Sequence, residues 1–329
     1  MPVKRTWLAA TLSSVLALWA LSPGVAVAQE SHAGGGRLPT VELLAGITHG
    51  IVQGAAVLLV GLVGFVALVW LPASRSAGSD GGSGAVFVRG AWALFAALAL
   101  VGLADVAVYT AWATGEPLGV GLYLEGLFAT TAGQLALARS GIGLLVALAV
   151  AWAAKGGGIG RWWVAAGAGG LLLATLVPES HAAVQGPLAM AAIWLHIGAA
   201  AFWTGGLLAF PMLLLGPLRA LGLDERADLR RRTVRRFSKV ATIAVLMILV
   251  TGLYSTLLNV AGPVALVSSA YGRALVMKLG MTVLLLATGG INLIDKGDGP
   301  LGRMVGLELV LATGIFAASG FLTSLPPSN

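Results

Sequence analysis

Residues 42–71 read ELLAGITHGIVQGAAVLLVGLVGFVALVWL, a long apolar run with very few polar side chains. The hydrocarbon core of a bilayer is about 30 Å thick and needs about 20 such residues per helix. Similar runs recur along the chain and give about eight predicted spans, near 42–71, 88–113, 134–154, 162–178, 187–215, 238–259, 271–294 and 303–323. The sequence therefore predicts an all-α, polytopic bundle of transmembrane helices.

The amino-acid composition supports a membrane protein over any class of soluble protein. The 329 residues are 58% hydrophobic and 10% charged, whereas about a quarter of an ordinary soluble domain is charged. The formal net charge is +7, but the cations lie in short loops between apolar runs, which indicates membrane topology and not a nucleic-acid partner. Cysteine is absent, so disulfides and thiolate ligands are excluded, and a soft-metal site has to use histidine and methionine.

The N-terminus has the pattern of a secretory signal. Lys4 and Arg5 precede a short apolar stretch, and Ala26-Val27-Ala28 supplies the small residues of a cleavage site. We predict a signal peptide cleaved after Ala28, and the alternative is an uncleaved anchor helix. The predicted units are the signal peptide (1–28), a short extracytoplasmic tail (29–41), an N-terminal four-helix membrane half (42–180) and a C-terminal four-helix membrane half (181–329).

The loops predict the orientation of the chain. Lysine and arginine occur in alternate loops and are densest at 219–239, while the loops at 178–186 and 259–270 contain neither. Cytoplasmic loops of membrane proteins are enriched in these residues. We therefore expect a multi-pass protein of the bacterial cytoplasmic (inner) membrane with both mature termini extracytoplasmic. The basic segment is expected to contact anionic membrane lipids.

A few ionisable residues lie inside the apolar runs, where such groups are costly and usually functional. His49 and His196 fall about 10 Å and 13 Å below the outer ends of their spans, at 1.5 Å per residue. Asp105 and Lys278 lie at a similar depth, and we expect them to form an ion pair that neutralises the ammonium. Glu308 lies near the inner end of its span.

These positions suggest a metal site near the outer face. We hypothesise that His49 and His196 hold one ion, with His181 as a capture ligand outside the fifth span, because imidazole is a good copper ligand. Met277 and Met281 are four residues apart and share a helix face that offers thioether sulfur. The alternatives are histidines that hydrogen-bond across helices for packing, and methionines that fill the core.

An ordered series of short motifs runs through the C-terminal half. In chain order they are Ser180-His181-Ala182-Ala183, Trp194-Leu195-His196, Phe202-Trp203-Thr204-Gly205-Gly206, Arg235-Arg236-Phe237-Ser238, Thr251-Gly252, Tyr271-Gly272-Arg273, Lys278, Asn292, Glu308 and Pro326-Pro327. From about Pro178 to Pro326 the chain resembles the CopD family of copper resistance proteins. Upstream, Thr131 to Arg139 is similar to a segment in the N-terminal half of longer members.

The resemblance implies copper transport across the cytoplasmic membrane, usually uptake, with a role in copper homeostasis or resistance. It implies a copper ion as ligand and, as a partner, a separate periplasmic CopC-type copper-binding protein, since the tail is too short for a folded domain. Asp105, Trp203, Lys278 and Glu308 are the polar residues that we expect to support the site. We find no catalytic constellation and expect no enzyme activity.

Two other functions fit the same residues. Histidines at matched depth on different helices are also the arrangement that ligates haem in a membrane cytochrome. A copper-binding assembly or sensing component would need the same imidazoles without moving the ion. A Soret band would identify the cytochrome, and tight binding without flux would identify the binding component.

Overall fold

The computed structural model describes residues 39–76, 84–117, 119–156, 158–294 and 301–324. Every regular element in these ranges is helical. The α-helices are α1 (Pro39–Phe65), α2 (Leu71–Ser76), α3 (Gly84–Thr114), α4 (Val120–Ala129), α5 (Thr131–Ala154), α6 (Ile159–Ala174), α7 (Ala182–Gln185), α8 (Pro187–Leu215), α9 (Leu223–Asn259), α10 (Ala265–Ser268), α11 (Ala270–Ile294) and α12 (Leu301–Ser324). The predicted signal peptide (1–28) and most of the tail lie outside the described residues.

Seven helical segments of the described chain are long and apolar enough to cross a membrane, which confirms the all-α polytopic fold. They are Leu44–Ser76, Gly84–Thr114, Thr131–Ala154, Ile159–Glu179, Pro187–Arg219, Leu223–Asn259 and Ala270–Thr288. The eighth predicted span corresponds to α12, whose described apolar part, Val310–Gly320, is shorter than a full span. The division into two four-helix halves stays a prediction.

Helix α1 is the centre of the bundle. In its most apolar window 72% of the residues are buried, against 22% in α3 and in α9. Most of its contacts are with four helices, namely α3, α8, α6 and α12. Outside this ring, α5 packs on α3 and α6, α9 packs on α8, and α11 packs on α12. The even apolar character of α1 follows from this position, because it faces protein on nearly every side.

The closest helix contact joins α1 to α8. A methyl group at Gly61 would lie 2.7 Å from the carbonyl carbon of Ala201 and 2.8 Å from the Cα of Gly205. A methyl group at Gly205 would lie 2.7 Å from the backbone nitrogen of Leu62. Small residues allow such backbone contact between membrane helices, where apolar burial against lipid contributes little. The glycines at 61 and 205 therefore set the distance between α1 and α8.

The C-terminal end of α1 is irregular and is held by α9. A π-helical turn, Val66–Trp70, separates α1 from α2. The Leu68 carbonyl in this turn accepts a hydrogen bond of 2.6 Å from Nε of Arg236 on α9. The adjacent Phe237 is buried against the rings of Phe65, Phe202 and Phe210. Arg236 and Phe237 thus hold the N-terminal half of α9 against α1 and α8.

A short helix, α4, lies between the predicted spans 88–113 and 134–154, where the sequence predicts no helix. It forms because its apolar residues have a place to pack: Leu127 is buried with Val106 of α3 and Ala136 of α5. The next helix, α5, begins directly after it, and the Thr130 hydroxyl caps α5 by accepting from the backbone nitrogen of Gly133 at 3.0 Å.

Candidate functional site

His49 lies on α1 in a group of polar side chains that we name the outer polar cluster, after the side of the membrane on which the sequence predicts it. The cluster consists of Thr48, His49, Gln53, Asp105, Arg139 and Glu179. Nδ1 of His49 lies 3.3 Å from Oδ2 of Asp105, and the Thr48 hydroxyl donates to the other carboxylate oxygen. Because a carboxylate accepts, the His49 ring carries its proton on Nδ1. Nε2 is then an acceptor, and the Gln53 amide donates to it at 3.0 Å.

A buried ion pair borders this histidine. Nη2 of Arg139, on α5, lies 2.7 Å from Oε2 of Glu179, in the 3₁₀ turn Val177–Glu179 after α6. Arg139 is 3% exposed and also donates to the backbone carbonyl and the hydroxyl of Thr175. The same Glu179 oxygen lies 3.9 Å from Nε2 of His49. The pair therefore connects α5 and the end of α6 to the polar face of α1.

His196 occupies a different place, on α8 against α9. Its Nδ1 lies 3.0 Å from the hydroxyl oxygen of Thr251. A methyl group at Gly252 would lie 3.3 Å from Cε1 of the ring, so the imidazole rests directly on the α9 backbone at this glycine.

His181 lies at the start of α7, near the C-terminal end of α12. Its Nε2 is 3.0 Å from the backbone carbonyl oxygen of Leu322, and its ring meets the Tyr271 ring edge-on at 5.8 Å. A carbonyl only accepts, so Nε2 carries the proton and Nδ1 keeps its lone pair. Nδ1 of His181 is therefore the ring nitrogen that can accept a ligand, while Nε2 anchors the ring to α12.

The structure does not bring His49 and His196 together. Gly205 of α8 faces α1, and His196 precedes it by nine residues, a rotation of about 900° that leaves it half a turn away. No hydrogen bond or ring contact joins the two imidazoles in the described ranges. In the same part of the chain, no three His, Asp or Glu side chains converge on a point that could hold a metal. The predicted shared ion therefore has no supporting geometry.

The predicted ion pair between Asp105 and Lys278 is wrong. The Asp105 carboxylate is bonded to Thr48 and His49, and no salt bridge joins it to Lys278 among the described residues. The cause is the helix arrangement: α3 packs on α1, whereas α11 packs on α12. Matched depth along two helices does not make them neighbours.

The remaining predicted residues are distributed over the bundle. Met277 and Met281 lie half-buried on α11, one turn apart. Trp203 is buried in the main core beside the closest α1–α8 contact, and Glu308 of α12 is 2% exposed. The structure thus places Trp203 as a packing residue. Met277, Met281 and Trp203 make no hydrogen bond to the three histidines in the described chain.

Two polar residues with clear roles are missing from the sequence-based site. Glu179 lies in a loop, and its pairing with Arg139 depends on a fold that loop composition does not indicate. Thr251 appears in the sequence only as part of a short motif. The signal that would have selected it is a hydroxyl at the same predicted depth as His196, on the next span along the chain.

Comparison with known proteins gives a family match in the C-terminal half. The family model for copper resistance protein D, CopD, matches residues 231–322. This range includes Thr251 and Lys278 but none of His49, His181 and His196. Copper transport protein CutJ of Bacillus subtilis (strain 168) is 30% identical over 222 residues, which cover 64% of this chain and 40% of that protein. The chain thus spans about two fifths of the length of this curated relative. No solved structure matches the chain.

Proposed function

Since this chain is a copper-related membrane protein with a CopD-family segment, as the motif resemblance predicts, we propose that it transports copper inward across the bacterial cytoplasmic membrane. The match of residues 231–322 to the family model carries this proposal. The imidazoles near the predicted outer face support it, because imidazole binds copper in both common oxidation states. We propose a transporter and not an enzyme, with both mature termini outside and a role in copper homeostasis or resistance.

We propose that the three histidines act as separate ligands along the path of the ion. His181 takes copper at the outer surface through Nδ1, and His196 receives it deeper in the bundle. His49 binds in the outer polar cluster on the other side of α8. His181 and His196 are each held by a second residue through one nitrogen, which leaves the other nitrogen for the metal and is the usual arrangement around histidine ligands. Nε2 of His49 accepts from the Gln53 amide, so copper bound there would displace that amide.

Copper flux into proteoliposomes that contain the full chain tests the proposal. We expect time-dependent copper accumulation that His196→Ala abolishes. His32→Ala, in the predicted tail, removes a histidine outside these positions and is the matched control. Accumulation in His196→Ala equal to that of the unsubstituted protein would remove His196 from the path.

The same preparation separates the alternatives. Tight copper binding without flux would identify a binding or sensing component and overturn transport. A Soret band in the purified protein would identify a cytochrome. A periplasmic CopC-type protein is the donor that we propose, and it should raise the rate of flux when it is added, loaded with copper, on the outer side.

A further inference from the structure

The contact between His196 and Thr251 determines where the proton lies on the imidazole. The Thr251 hydroxyl oxygen is 2.6 Å from the backbone carbonyl oxygen of Met247 and 3.0 Å from Nδ1 of His196. A threonine hydroxyl has one hydrogen, and a carbonyl oxygen has none to give. The hydroxyl must therefore donate to Met247, and its oxygen accepts from Nδ1–H of the histidine.

The opposite assignment is unfavourable. If the hydroxyl donated to Nδ1, its oxygen would face the Met247 carbonyl oxygen at 2.6 Å with no hydrogen between them. Two oxygen atoms at this distance repel each other unless a hydrogen lies between them. The Met247 carbonyl therefore takes the hydroxyl hydrogen, and the proton of the ring lies on Nδ1.

Nε2 of His196 then keeps its lone pair and is the atom available to a metal. The ring is placed against α9 by Gly252, where even a methyl group would make a tight contact with Cε1. Thr251 therefore fixes both the tautomer and the direction of the ring. Partners of this kind on histidine ligands affect metal affinity about 10–100-fold when they are removed.

We propose that Thr251 is a positioning residue that holds His196 as the Nδ1–H tautomer, so that Nε2 is the copper-binding atom. The inference rests on the proposed function, because it names the ligand atom and a supporting residue for the same ion. It also assigns a role to a residue of the CopD-matched segment, which contains no histidine.

Ring-nitrogen NMR of the copper-free protein tests the tautomer without any copper chemistry. The sequence has four histidines, so selective ¹⁵N labelling of the rings gives few signals, and His196→Ala assigns the one of interest. We expect Nδ1–H for His196 in the unsubstituted protein and in Thr251→Ser, and a mixture of tautomers in Thr251→Val. An unsubstituted protein with the proton on Nε2, or an unchanged spectrum in Thr251→Val, would overturn the proposal.

Thr256→Val is the matched control for this experiment. Its hydroxyl donates to the Gly252 carbonyl at 2.9 Å, as the Thr251 hydroxyl does to Met247, but it has no histidine on it. We expect the His196 signals to be unchanged in this variant. If Thr256→Val alters them as much as Thr251→Val does, the effect comes from helix perturbation and the positioning role is refuted. Thr251→Ala removes the hydroxyl with less bulk at Cβ and carries the same expectation if Thr251→Val does not fold.

Copper titration of the same variants tests the metal role. We expect Thr251→Val to bind copper about 10–100-fold more weakly, and Thr251→Ser to bind nearly as the unsubstituted protein does. Unchanged affinity in Thr251→Val would refute the positioning role and leave the proposed function intact. An unsubstituted protein that shows the Nδ1–H tautomer but binds no copper would refute the proposed function, and with it the assignment of Nε2 as a ligand atom.

Discussion

Replacement of Gly205 by alanine is expected to destabilise the protein, because it places a methyl group against the backbone of α1. That methyl would lie 2.7 Å from the backbone nitrogen of Leu62, where ordinary van der Waals contact begins at 3.4 Å. The obstacle is main chain, so no rotamer change relieves it. The two helices would have to separate by about 1 Å, and this loses dispersion contacts along the whole interface.

Overpacking of this kind costs about 1–3 kcal/mol. In an exposed helix of a soluble protein, replacing glycine by alanine stabilises the helix by about 1 kcal/mol. A loss of stability in Gly205→Ala would therefore come from the packing contact, whereas a gain would come from helix propensity. We expect the melting temperature of the detergent-solubilised protein, followed by tryptophan fluorescence, to fall by roughly 2–10 °C.

Two other glycines provide graded controls in the same assay. At Gly90 of α3 the added methyl meets the flexible end of the Met212 side chain, which can move. At Gly141 of α5 nothing lies within 4 Å. We expect Gly90→Ala to be nearly neutral and Gly141→Ala to be neutral or stabilising. If Gly205→Ala melts at the same temperature as Gly141→Ala, the close contact of α1 and α8 is not as described.

Three further outcomes are expected. Arg139→Met should lower the free energy of unfolding by about 2–4 kcal/mol, because it leaves the Glu179 carboxylate without its partner. This loss is smaller than for a wholly buried pair, since the Glu179 side chain is 18% exposed. Adding Glu179→Gln to Arg139→Met should restore part of the lost melting temperature. Gly252→Ala should crowd Cε1 of His196 and weaken copper binding about 3–10-fold in a copper titration, with little change in melting temperature. An unchanged copper affinity would contradict the contact between Gly252 and the His196 ring. Phe237→Ala should cost about 3–5 kcal/mol in chemical denaturation, because the ring is buried among three others, and a loss below 1 kcal/mol would argue against that packing.

The sequence predicts the helices well because the bilayer fixes their length and polarity. An apolar run such as residues 42–71 has no stable alternative to a helix in hydrocarbon, where each backbone polar group needs a partner. In the structure, the helical segment formed by α1, the π-helical turn and α2 runs from Pro39 to Ser76, a little beyond both ends of the predicted span. A short amphipathic segment such as α4 is not predicted in the same way, because its existence depends on the buried contacts of Leu127.

The candidate site is predicted only in part, and the reason is rotation about the helix axis. Residue counting gives the depth of His49 and His196, and each proves to be a hydrogen-bonded polar position inside the bundle. Counting does not give the neighbour that each face meets. The neighbours of each face are decided by where two backbones come closest. The backbones of α1 and α8 come closest at Gly61 and Gly205, and because His196 lies on the opposite face of α8 from Gly205, it points away from α1.

The failed pairing of Asp105 with Lys278 has the same origin. Opposite charges at equal depth attract only if their helices are adjacent, and adjacency depends on the packing order of the whole bundle. The pairing that exists instead, between Arg139 and Glu179, joins a helix to a turn 40 residues later. No local pattern in the sequence specifies such a contact, which forms only when α5, α6 and α1 are assembled.

The π-helical turn at Val66–Trp70 has a consequence for how the first span tolerates change in length. A π turn contains one residue more than an α turn, so Leu71–Ser76 is rotated about the helix axis relative to the N-terminal part of the span, which carries His49. Deleting one residue there would restore a regular helix and rotate Leu71–Ser76 by about 100° while the N-terminal part kept its orientation. The C-terminal end of the span can therefore change the direction of its side chains independently of the polar residues near the opposite surface.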